Sequence, residues 1–550
     1  MYTIGVDFGT ESGRALLVDA RSGRILATKV MAYPHGVIDE HLPGSSTALP
    51  PDWALQDPLD YLEVVRATVP AVLAEAAIDP AQVVGIGIDF TTCTLVPTKA
   101  DGTPLRALPE FAANPHAWVK LWKHHGSVAE AQQIDALAAE RGETWMRRYS
   151  GKSSSEWFFP KALQILHEAP EVYRAADRLI ESGDWLVWQL CGVETRNACM
   201  AGYKAYWQDG AYPSREFLGA LHPEFADIVG TKVPPRVHQL GERAGGLVSS
   251  WAAMLGLPPG IAVAVSVGDA HAAVPGINAT APGVMTMIMG TSICHLMSEP
   301  KLMDVAGLAG VVDGGLVSGM VGYEAGQTGG GDIFAWFVDH AVPPEYHAAA
   351  QAAGLNLHAY LEREAAKQAV GEHGLIALDW WNGNRSTLQD AELSGLIVGM
   401  TLGTRAPDIY RAMIEATAFG TLVIIEAFEA QGLAVKELVA AGGLPEKNAL
   451  LRQIYADVTG RDFVLARRPY ASGLGAAMYA AVAAGIYADI HAASTAMGRL
   501  EDAEIVSPIP ANRSAYRALY AEYRALYDTF GRGGSDVMRR LKALKRGARG

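Results

Sequence analysis

The chain has 550 residues, of which 50% are hydrophobic and 19% are charged, a composition typical of a folded globular protein. A chain of this length is too long for one compact core, so we expect two domains or more. The formal net charge of −14 argues against non-specific binding of DNA or RNA, although backbone amides and a few cations can still hold an anionic ligand locally.

Cysteines and apolar stretches restrict the chain further. The four cysteines, Cys93, Cys191, Cys199 and Cys294, form no C-x-x-C pair, which predicts free thiols in the cytoplasm and no cysteine metal cluster. The chain enters a strand-like run at residue 2 without a basic or apolar leader, so we expect no signal peptide. The longest helix-like apolar stretch, Ala476 to Ala488, is too short and too rich in alanine to span a bilayer, so no membrane partner is expected.

The first ninety residues are predicted to form strands around one helix. Three β-prone runs separated by short turns predict a three-stranded meander, and an amphipathic stretch containing Pro70 predicts a helix. A further buried strand ends on Asp89. The predicted elements are strands at Tyr2–Phe8, Arg14–Asp19, Arg24–Tyr33 and Val83–Phe90, and a helix at Asp57–Ile78.

The middle of the chain reads as helices followed by an irregular zone. Three stretches show helical patterning: Ala112–Glu140, Glu156–His167 and Glu171–Leu190. Residues 215–260 are rich in glycine and proline, which indicates a transition between domains.

From Ile261 the strand pattern begins again. Apolar, β-prone runs predict strands at Ala262–Asp269, Gly283–Leu296, Leu316–Val321 and Glu437–Ala441, and periodic stretches predict helices at Asp332–His340, Asp408–Ala430 and Ala449–Thr459. Both halves thus repeat a strand with an aspartate, a glycine turn, another strand and helices. We therefore predict two related α/β domains, residues 1–260 and 261–550, with a cleft between them.

The stretch IAVAVSVGDAH, residues 261–271, ends a buried strand on Asp269. Open α/β sheets bind ligands at the carboxyl ends of their strands, so a lone carboxylate there suits a general base that acts on a hydroxyl. The alternative is an aspartate that only caps the turn after a strand.

A glycine hairpin follows the first strand, in the string DFGTESGR. Gly9 and Gly13 allow backbone amides to approach phosphate oxygens, Thr10 and Ser12 add donors, and Asp7 could hold a hydrated Mg²⁺. The alternative is an ordinary hairpin in which these residues serve only the turn.

Two further glycine turns occur in the second half. MGTS, residues 289–292, places Gly290 and Thr291 after a strand where the first half has its hairpin, so the pair could clamp a triphosphate from two sides. AAGGLPEKN, residues 440–448, places Gly442 and Gly443 at a strand end before a helix, which suits the close approach of a ribose or a flat ring. A plain strand–helix turn is the alternative for the second string.

In this order, GVDFGTESG, VGDAH, MGTS and AAGG resemble the FGGY carbohydrate kinases, a family with an actin-like ATPase fold. The string from Gly395 to Glu415 resembles the family's C-terminal signature, and a weaker earlier signature lies around Phe159-Pro160-Lys161. The resemblance covers essentially the whole chain. Within the family, FTTCT, VKLWKHH, AGYKAYW, YEAGQTGGGD and WWNGNRS most resemble the bacterial L-ribulokinases.

The resemblance implies the fold, two actin-like (ribonuclease H-like) domains with an active site in the cleft, and a set of roles. Asp269 would be the base for the sugar hydroxyl and, with Asp7, would hold Mg²⁺. The implied ATP contacts are Thr10, Ser12, Arg14, Gly290 and Thr291 for the phosphates, and Gly331, Ala335, Gly442, Gly443 and Lys447 for the adenosine. The implied sugar contacts are Trp122, Lys204, Glu324, Thr92 and Asp269 itself.

The implied reaction is transfer of a phosphoryl group from ATP to the terminal hydroxyl of L-ribulose, by a cytoplasmic enzyme that we expect to be a homodimer. Alternatives are a kinase for another ketopentose or polyol, such as xylulose, D-ribulose or ribitol, an actin-like ATPase without a small substrate, and an inactive sugar sensor. A polyol needs charged partners for its hydroxyls and an aromatic face for its C–H surface, which favours a sugar substrate. Trp122 could instead be a core residue, and Lys204 a solvated surface charge.

Overall fold

The computed structural model describes residues 1–500 and 503–548. Its strands are β1 (Tyr2–Phe8), β2 (Ser12–Asp19), β3 (Ile25–Ala32), β4 (Leu55–Gln56), β5 (Val83–Phe90), β6 (Leu95–Thr98), β7 (Val119–Lys120), β8 (Arg178–Glu181), β9 (Arg243–Gly246), β10 (Ala262–Ala264), β11 (Val267–Gly268), β12 (Val284–Met289), β13 (Ile293–Glu299), β14 (Gly310–Asp313), β15 (Val321–Gln327), β16 (Ile376–Leu378), β17 (Leu396–Val398), β18 (Glu437–Ala441), β19 (Phe463–Leu465) and β20 (Glu504–Val506).

The α-helices are α1 (Pro58–Ala76), α2 (Val128–Arg141), α3 (Phe158–Glu168), α4 (Pro170–Ala175), α5 (Ser182–Cys191), α6 (Ala198–Lys204), α7 (Arg215–Leu221), α8 (Ile228–Thr231), α9 (Ser249–Leu255), α10 (Asp269–Gly276), α11 (Gly331–His340), α12 (Pro344–Ala352), α13 (Leu357–Ala365), α14 (Ala406–Glu429), α15 (Gly443–Lys447), α16 (Ala449–Thr459), α17 (Ala471–Ala483), α18 (Ile490–Met497), α19 (Arg513–Gly531) and α20 (Val537–Gly547). Short 3₁₀ turns occur at Pro80–Gln82, Leu105–Ala107, Pro115–Ala117, Thr144–Tyr149, Pro223–Phe225 and Pro510–Asn512.

Two large sheets repeat one arrangement of strands. The first has the order β3-β2-β1-β5-β10-β9, with β11 also paired to β5, and the second has the order β14-β15-β13-β12-β18-β19-β20. In each, three antiparallel strands (β3-β2-β1 or β15-β13-β12) are followed by two parallel ones (β5 and β10, or β18 and β19). The repeated pattern predicted from the sequence is confirmed.

Helices α10 and α17 lie between the two sheets. Their apolar residues join residues of both sheets in one core cluster, for example Val267 of the first sheet, Leu474 of α17 and Val439 of the second sheet. Glycine makes the crossing of the two helices close: a Cβ on Gly475 would lie 1.8 Å from the Ala272 carbonyl oxygen. The alanine-rich stretch of α17 is therefore a packing surface between sheets.

The predicted domain boundary falls inside the first sheet. Strands β10 and β11, which we assigned to the second domain, pair in parallel with β5, so residues 262–268 complete the first sheet. Because a sheet is held by its hydrogen-bond ladder, we propose that the two domains meet after α10 rather than between residues 260 and 261. The loop predicted after Asp269 is also wrong, since α10 begins at this residue.

The long helix predicted at residues 112–140 is wrong in its first half. The helix begins at Val128, and the residues before it form the 3₁₀ turn Pro115–Ala117 and the short strand β7. Gly126, near the end of this irregular segment, packs closely on Trp53: a Cβ on Gly126 would lie 2.6 Å from the Trp53 indole nitrogen.

The helix predicted at residues 171–190 is interrupted by a strand. Residues Arg178–Glu181 form β8, which pairs antiparallel with Leu95–Thr98 of β6. Pairing with a distant strand outweighs local helical periodicity here. The strand predicted at residues 316–321 is wrong as well, because Gly314 and Gly319 have φ of 69° and 79° in the turn between β14 and β15.

Among the described helices, none has both the length and the apolar character needed to cross a membrane.

Lys120 of β7 is buried in a small sheet beside the cleft. Its side chain is inaccessible to solvent, its Nζ lies 4.1 Å from the centre of the Trp53 ring, and no described residue accepts a hydrogen bond from it. Burial lowers the pKa of Lys120 to about 7. Whether charged or neutral, the buried amino group of Lys120 lowers the stability of the folded protein, because it has lost water without gaining a hydrogen-bond acceptor.

We expect Lys120→Met to stabilise the protein by roughly 1–3 kcal/mol at neutral pH, the range for removing an unpaired buried polar group. The unfolded lysine has a pKa near 10.4, so unfolding takes up a proton at pH values between the two pKa values. The stabilisation should therefore be largest at or below neutral pH and decline toward pH 10. Urea unfolding at several pH values measures it, with exposed Lys29→Met as the matched control; a destabilised Lys120→Met variant at pH 7 would contradict the argument.

Candidate active site

Three carboxylates meet at the carboxyl end of the first sheet. Asp7 and Asp89 lie side by side, because β1 and β5 are parallel and these residues are register partners. Asp89 is also the partner of Val267 in β11, and Asp269 follows that strand as the first residue of α10. The sheet therefore brings together two of the predicted site residues and one that the sequence reasoning did not assign.

Burial raises the pKa of all three carboxylates. Burial, opposed by the Arg14 guanidinium, raises the pKa of Asp7, and burial together with the charges of Asp7 and Asp269 raises the pKa of Asp89 well above its ordinary value. Burial raises the pKa of Asp269 to about 6, although the Ala270 amide donates to its Oδ1 at 2.7 Å. A carboxylate with a pKa near 6 suits a general base near neutral pH.

The first glycine hairpin is held rigidly over this edge. The Gly9 amide donates to the Ser12 carbonyl at 3.0 Å and closes the turn. From outside the hairpin, the Tyr33 hydroxyl donates to the Gly9 carbonyl at 2.8 Å, and the Gln56 amide donates to the Thr10 carbonyl at 2.7 Å. Such contacts hold the hairpin in one conformation; its role in binding phosphate remains a prediction.

The return strand of this hairpin carries Arg14 opposite Asp7. Its Nε lies 3.5 Å from Asp7 Oδ2, and its guanidinium lies 5.9 Å from the centre of the Tyr470 ring. Arg14 therefore partly balances the carboxylates while facing the cleft from the side of the first sheet.

The second glycine hairpin joins β12 to β13. The Gly290 amide donates to the Ser292 carbonyl at 3.0 Å, and the Gly331 amide, at the start of α11, donates to the Gly290 carbonyl at 2.8 Å. A Cβ on Gly331 would lie 2.9 Å from that same oxygen. The resemblance placed Gly290 and Gly331 at the phosphates and the adenosine, and the structure puts them in direct contact.

A cavity of about 570 Å³ with mostly apolar walls opens beside the second hairpin. Four residues predicted to bind ATP line it: Gly290, Gly331, Gly443 and Lys447. Ala335 and Gly442 lie outside its wall; Gly442 has φ of 112° at the end of β18, where a Cβ would lie 2.4 Å from the Met289 carbonyl oxygen. Other wall residues, missed by the sequence reasoning, include Phe334, Asn356, His358, Tyr410 and Leu444. The size and apolar lining suit a nucleoside.

A buried charged cluster joins α6 and α10 to β15 of the second sheet. Lys204 Nζ lies 3.0 Å from Glu324 Oε1, and His271 Nε2 lies 3.2 Å from Glu324 Oε2. Burial opposes all three charges, but the Lys204 ammonium and His271 lower the pKa of Glu324, and Glu324 in turn raises the pKa of Lys204. With Cys199 and Glu324 as neighbours, the pKa of His271 is raised to about 10. Lys204 is therefore a buried charge rather than a solvated one.

Lys204 and Glu324 also line a cavity of about 540 Å³ together with Asp135, Asn384 and Arg385. Polar and charged groups that converge on one cavity are what a polyhydroxylated ligand requires. Thr92 lies nearer to the base, since a Cβ on Gly268, next to Asp269, would lie 2.6 Å from its methyl carbon.

Trp122 is not a core residue. Its side chain is 37% exposed, and its indole N–H donates to Thr10 Oγ1 at 3.0 Å. The Trp122 ring therefore lies against the first glycine hairpin, where we expect phosphate, and its exposed face is available to a sugar. Its role as a sugar contact remains a prediction.

Two residues of this site were missed for different reasons. Asp89 ends a strand that reads as wholly buried, and nothing local distinguishes its carboxylate from a structural one. His271 lies two residues after Asp269 and reaches Glu324 only because α10 turns its side chain toward β15. The strand register of Asp89 beside Asp7 could have been inferred from the parallel pairing of the first and fourth strands.

Two family profiles match the chain. The profile described as the FGGY family of carbohydrate kinases, N-terminal domain, matches residues 2–276, and the C-terminal domain profile matches residues 285–484. The chain belongs to the FGGY family of carbohydrate kinases. As a member of this family it is an ATP-dependent sugar kinase.

Relatives and solved structures agree with this membership. The chain is 52% identical over 549 residues to the ribulokinase of Halalkalibacterium halodurans, covering 99% of this chain and 97% of that protein. It is 53% identical to the ribulokinase of Mycolicibacterium smegmatis, covering 100% of this chain and 97% of that protein. The structure of a xylulose kinase from Rhodospirillum rubrum matches with a TM-score of 0.80 at 23% identity, over 96% of this chain and 99% of that chain. The predicted two-domain actin-like fold is thereby confirmed.

If Lys204 contacts the sugar, Lys204→Met should lower kcat/KM for the sugar roughly ten- to a hundredfold, because a polar group of the bound sugar loses a buried partner. Glu324 keeps its contact with His271, so the affinity for ATP measured without sugar should stay nearly unchanged. Steady-state kinetics and calorimetry separate the two effects. Lys232→Met, which removes a half-buried lysine near Tyr173, is the control and should change neither. An equal loss for sugar and nucleotide would count against a sugar contact.

Proposed function

We propose that the protein transfers the γ-phosphoryl group of ATP to the terminal hydroxyl of L-ribulose and forms L-ribulose 5-phosphate. We choose L-ribulose as the substrate because relatives that are 52–53% identical over nearly the whole chain are named ribulokinase. The position of the buried Asp269 at the sheet edge where β1 leads into the first glycine hairpin supports the chemistry, because phosphoryl transfer depends mainly on positioning and electrostatic stabilisation.

ATP would bind between the two sheets. Its adenosine fits the cavity beside Gly331 and Gly443, and its phosphates would extend toward Gly290 and Thr291 on one side and Thr10, Ser12 and Arg14 on the other. Hairpin amides and hydroxyls aimed at phosphate oxygens would stabilise charge as it develops on the transferred group. The contact between Gly290 and Gly331, which both line this cavity, supports this order.

The sugar would bind between residues of both halves of the chain, at the cluster that joins α6 and α10 to β15. Lys204 and Glu324, with His271 behind them, offer a donor and an acceptor for hydroxyl groups, and the exposed face of Trp122 offers a surface for C–H groups. The terminal hydroxyl would then reach Asp269, which accepts its proton while the oxygen attacks phosphorus.

Mg²⁺ fits the acidic edge of the first sheet. Hard divalent cations prefer carboxylate oxygens, and Asp7 and Asp269 supply them beside an Asp89 carboxylate to which no N–H or hydroxyl group of the described residues donates a hydrogen bond. Bound with ATP, the ion would supply charge neutralisation at the phosphates. The residues of the chain would orient the sugar and hold the hydroxyl proton.

Replacement of the base tests the chemistry. Asp269→Asn keeps the side-chain size but cannot accept the proton, so kcat should fall roughly 10²–10⁴-fold while ATP binding and the fold persist. Asp101→Asn, at an exposed turn, is the control. A variant with near-normal kcat would remove Asp269 from the mechanism.

A panel of acceptors tests the substrate. Coupled ADP release should show the highest kcat/KM with L-ribulose, compared with D-ribulose, D-xylulose, ribitol, L-arabinitol and glycerol. A clear preference for another sugar would replace the proposed substrate. ATP turnover that does not depend on any sugar would favour an ATPase without a small substrate.

A further inference from the structure

Asp89 is a buried carboxylate whose polar contact is with another acid. Its side chain is inaccessible to solvent, no N–H or hydroxyl group of the described residues donates a hydrogen bond to either oxygen, and the group that it meets is the carboxyl of Asp7. Burial alone does not produce this. The equally buried Asp184 accepts hydrogen bonds at Oδ1 from Asn197 Nδ2 at 2.9 Å and from Ser266 Oγ at 2.7 Å.

The neighbours of Asp89 add to the deficit. Asp7 is its register partner on the adjacent strand, where parallel strands lie roughly 4.8 Å apart, and Asp269 lies at its other side beyond β11. Arg14 is the cation beside this group, and its Nε lies 3.5 Å from Asp7. Lys204 is engaged with Glu324. His271 and Lys204 also act on Asp269, so Arg14 is the cation that acts on both Asp7 and Asp89.

A purely structural role does not account for this arrangement. A buried polar group without a partner costs roughly 1–3 kcal/mol, and a smaller or apolar residue could end β5 without that cost. Small residues elsewhere on this face, such as Gly85 and Gly87, meet helix α17 directly. A carboxylate at the same face is explained if a positive ligand binds beside it.

We propose that Asp89 lies behind a divalent-cation site formed by Asp7 and Asp269, and that its oxygens orient the water molecules bound to the ion. This inference rests on the proposed function, which requires the ion. Mg²⁺ keeps several water ligands in proteins, so a carboxylate behind the direct ligands can orient those waters and raise the affinity.

The test uses Mn²⁺ as the probe and the full-length protein without nucleotide or sugar. Free Mn²⁺ is followed by electron paramagnetic resonance in titrations of the unmodified protein, Asp89→Asn and the control Asp184→Asn. We expect the Kd for Mn²⁺ to rise about ten- to a hundredfold in Asp89→Asn and to stay unchanged in Asp184→Asn, as is typical when an outer partner of a metal site is lost.

Thermal unfolding gives a second readout. In EDTA, Asp89→Asn should melt at or above the temperature of the unmodified protein, because an unpaired buried charge is removed, whereas Asp184→Asn should melt lower. Added Mn²⁺ should then raise the melting temperature of the unmodified protein more than that of Asp89→Asn. If the asparagine side chain of Asp89→Asn does not fit the site and the variant fails to fold, the smaller replacement Asp89→Ser takes its place. It should show the same weaker Mn²⁺ binding.

The outcomes separate the two claims. Equal Mn²⁺ affinity in the unmodified protein and in both Asp89 variants would overturn the role of Asp89 and leave the proposed function standing. Loss of stability in EDTA with unchanged Mn²⁺ affinity would assign Asp89 a structural role instead. If the unmodified protein does not bind Mn²⁺ at all, the inference and the metal part of the proposed function both fail.

Discussion

The convergence of three carboxylates at the end of the first sheet is the constraint on which the site depends. Parallel pairing of β1 and β5 forces Asp7 and Asp89 together, and β11 delivers Asp269 to the same edge. Acidic groups gathered away from water favour a bound cation, and burial raises the pKa of each of the three. The glycine hairpin that follows β1, and Arg14 on its return strand, then place donors for an anionic ligand beside the cation site.

Close packing between the sheets sets the position of the second hairpin relative to these acids. Glycines allow α17 to lie directly on the first sheet: a Cβ on Gly5 would lie 1.9 Å from the Gly473 carbonyl oxygen, and one on Gly87 would lie 2.0 Å from that of Ala476. Leu474 and Met478 of the same helix belong to a core cluster that also contains Val439 and Val464 of the second sheet. Because the contact is backbone to backbone, small residues here serve the geometry of the cleft.

Local sequence predicted the parts of the fold that depend on local chemistry. Strands ending on glycine turns predicted both hairpins, and the repeat of that pattern predicted two similar sheets. The strand β8 was missed because it forms only against β6, about eighty residues earlier in the chain. The local sequence pattern did not identify Asp89 or His271 as site residues, because each joins the site through a contact with a residue on another element. The predicted homodimer remains a prediction from the sequence.

The central proposal is that Asp269 directs phosphoryl transfer to the terminal hydroxyl of L-ribulose while the two glycine hairpins hold the phosphates of ATP. The most direct measurement is the position of the phosphate in the product, read from carbon–phosphorus coupling in NMR spectra after incubation with ATP, Mg²⁺ and ¹³C-labelled L-ribulose. The account predicts coupling at C5 and C4 and none at C1, with one ADP released per sugar consumed. Phosphate at C1, or ADP release with the sugar unchanged, would contradict it.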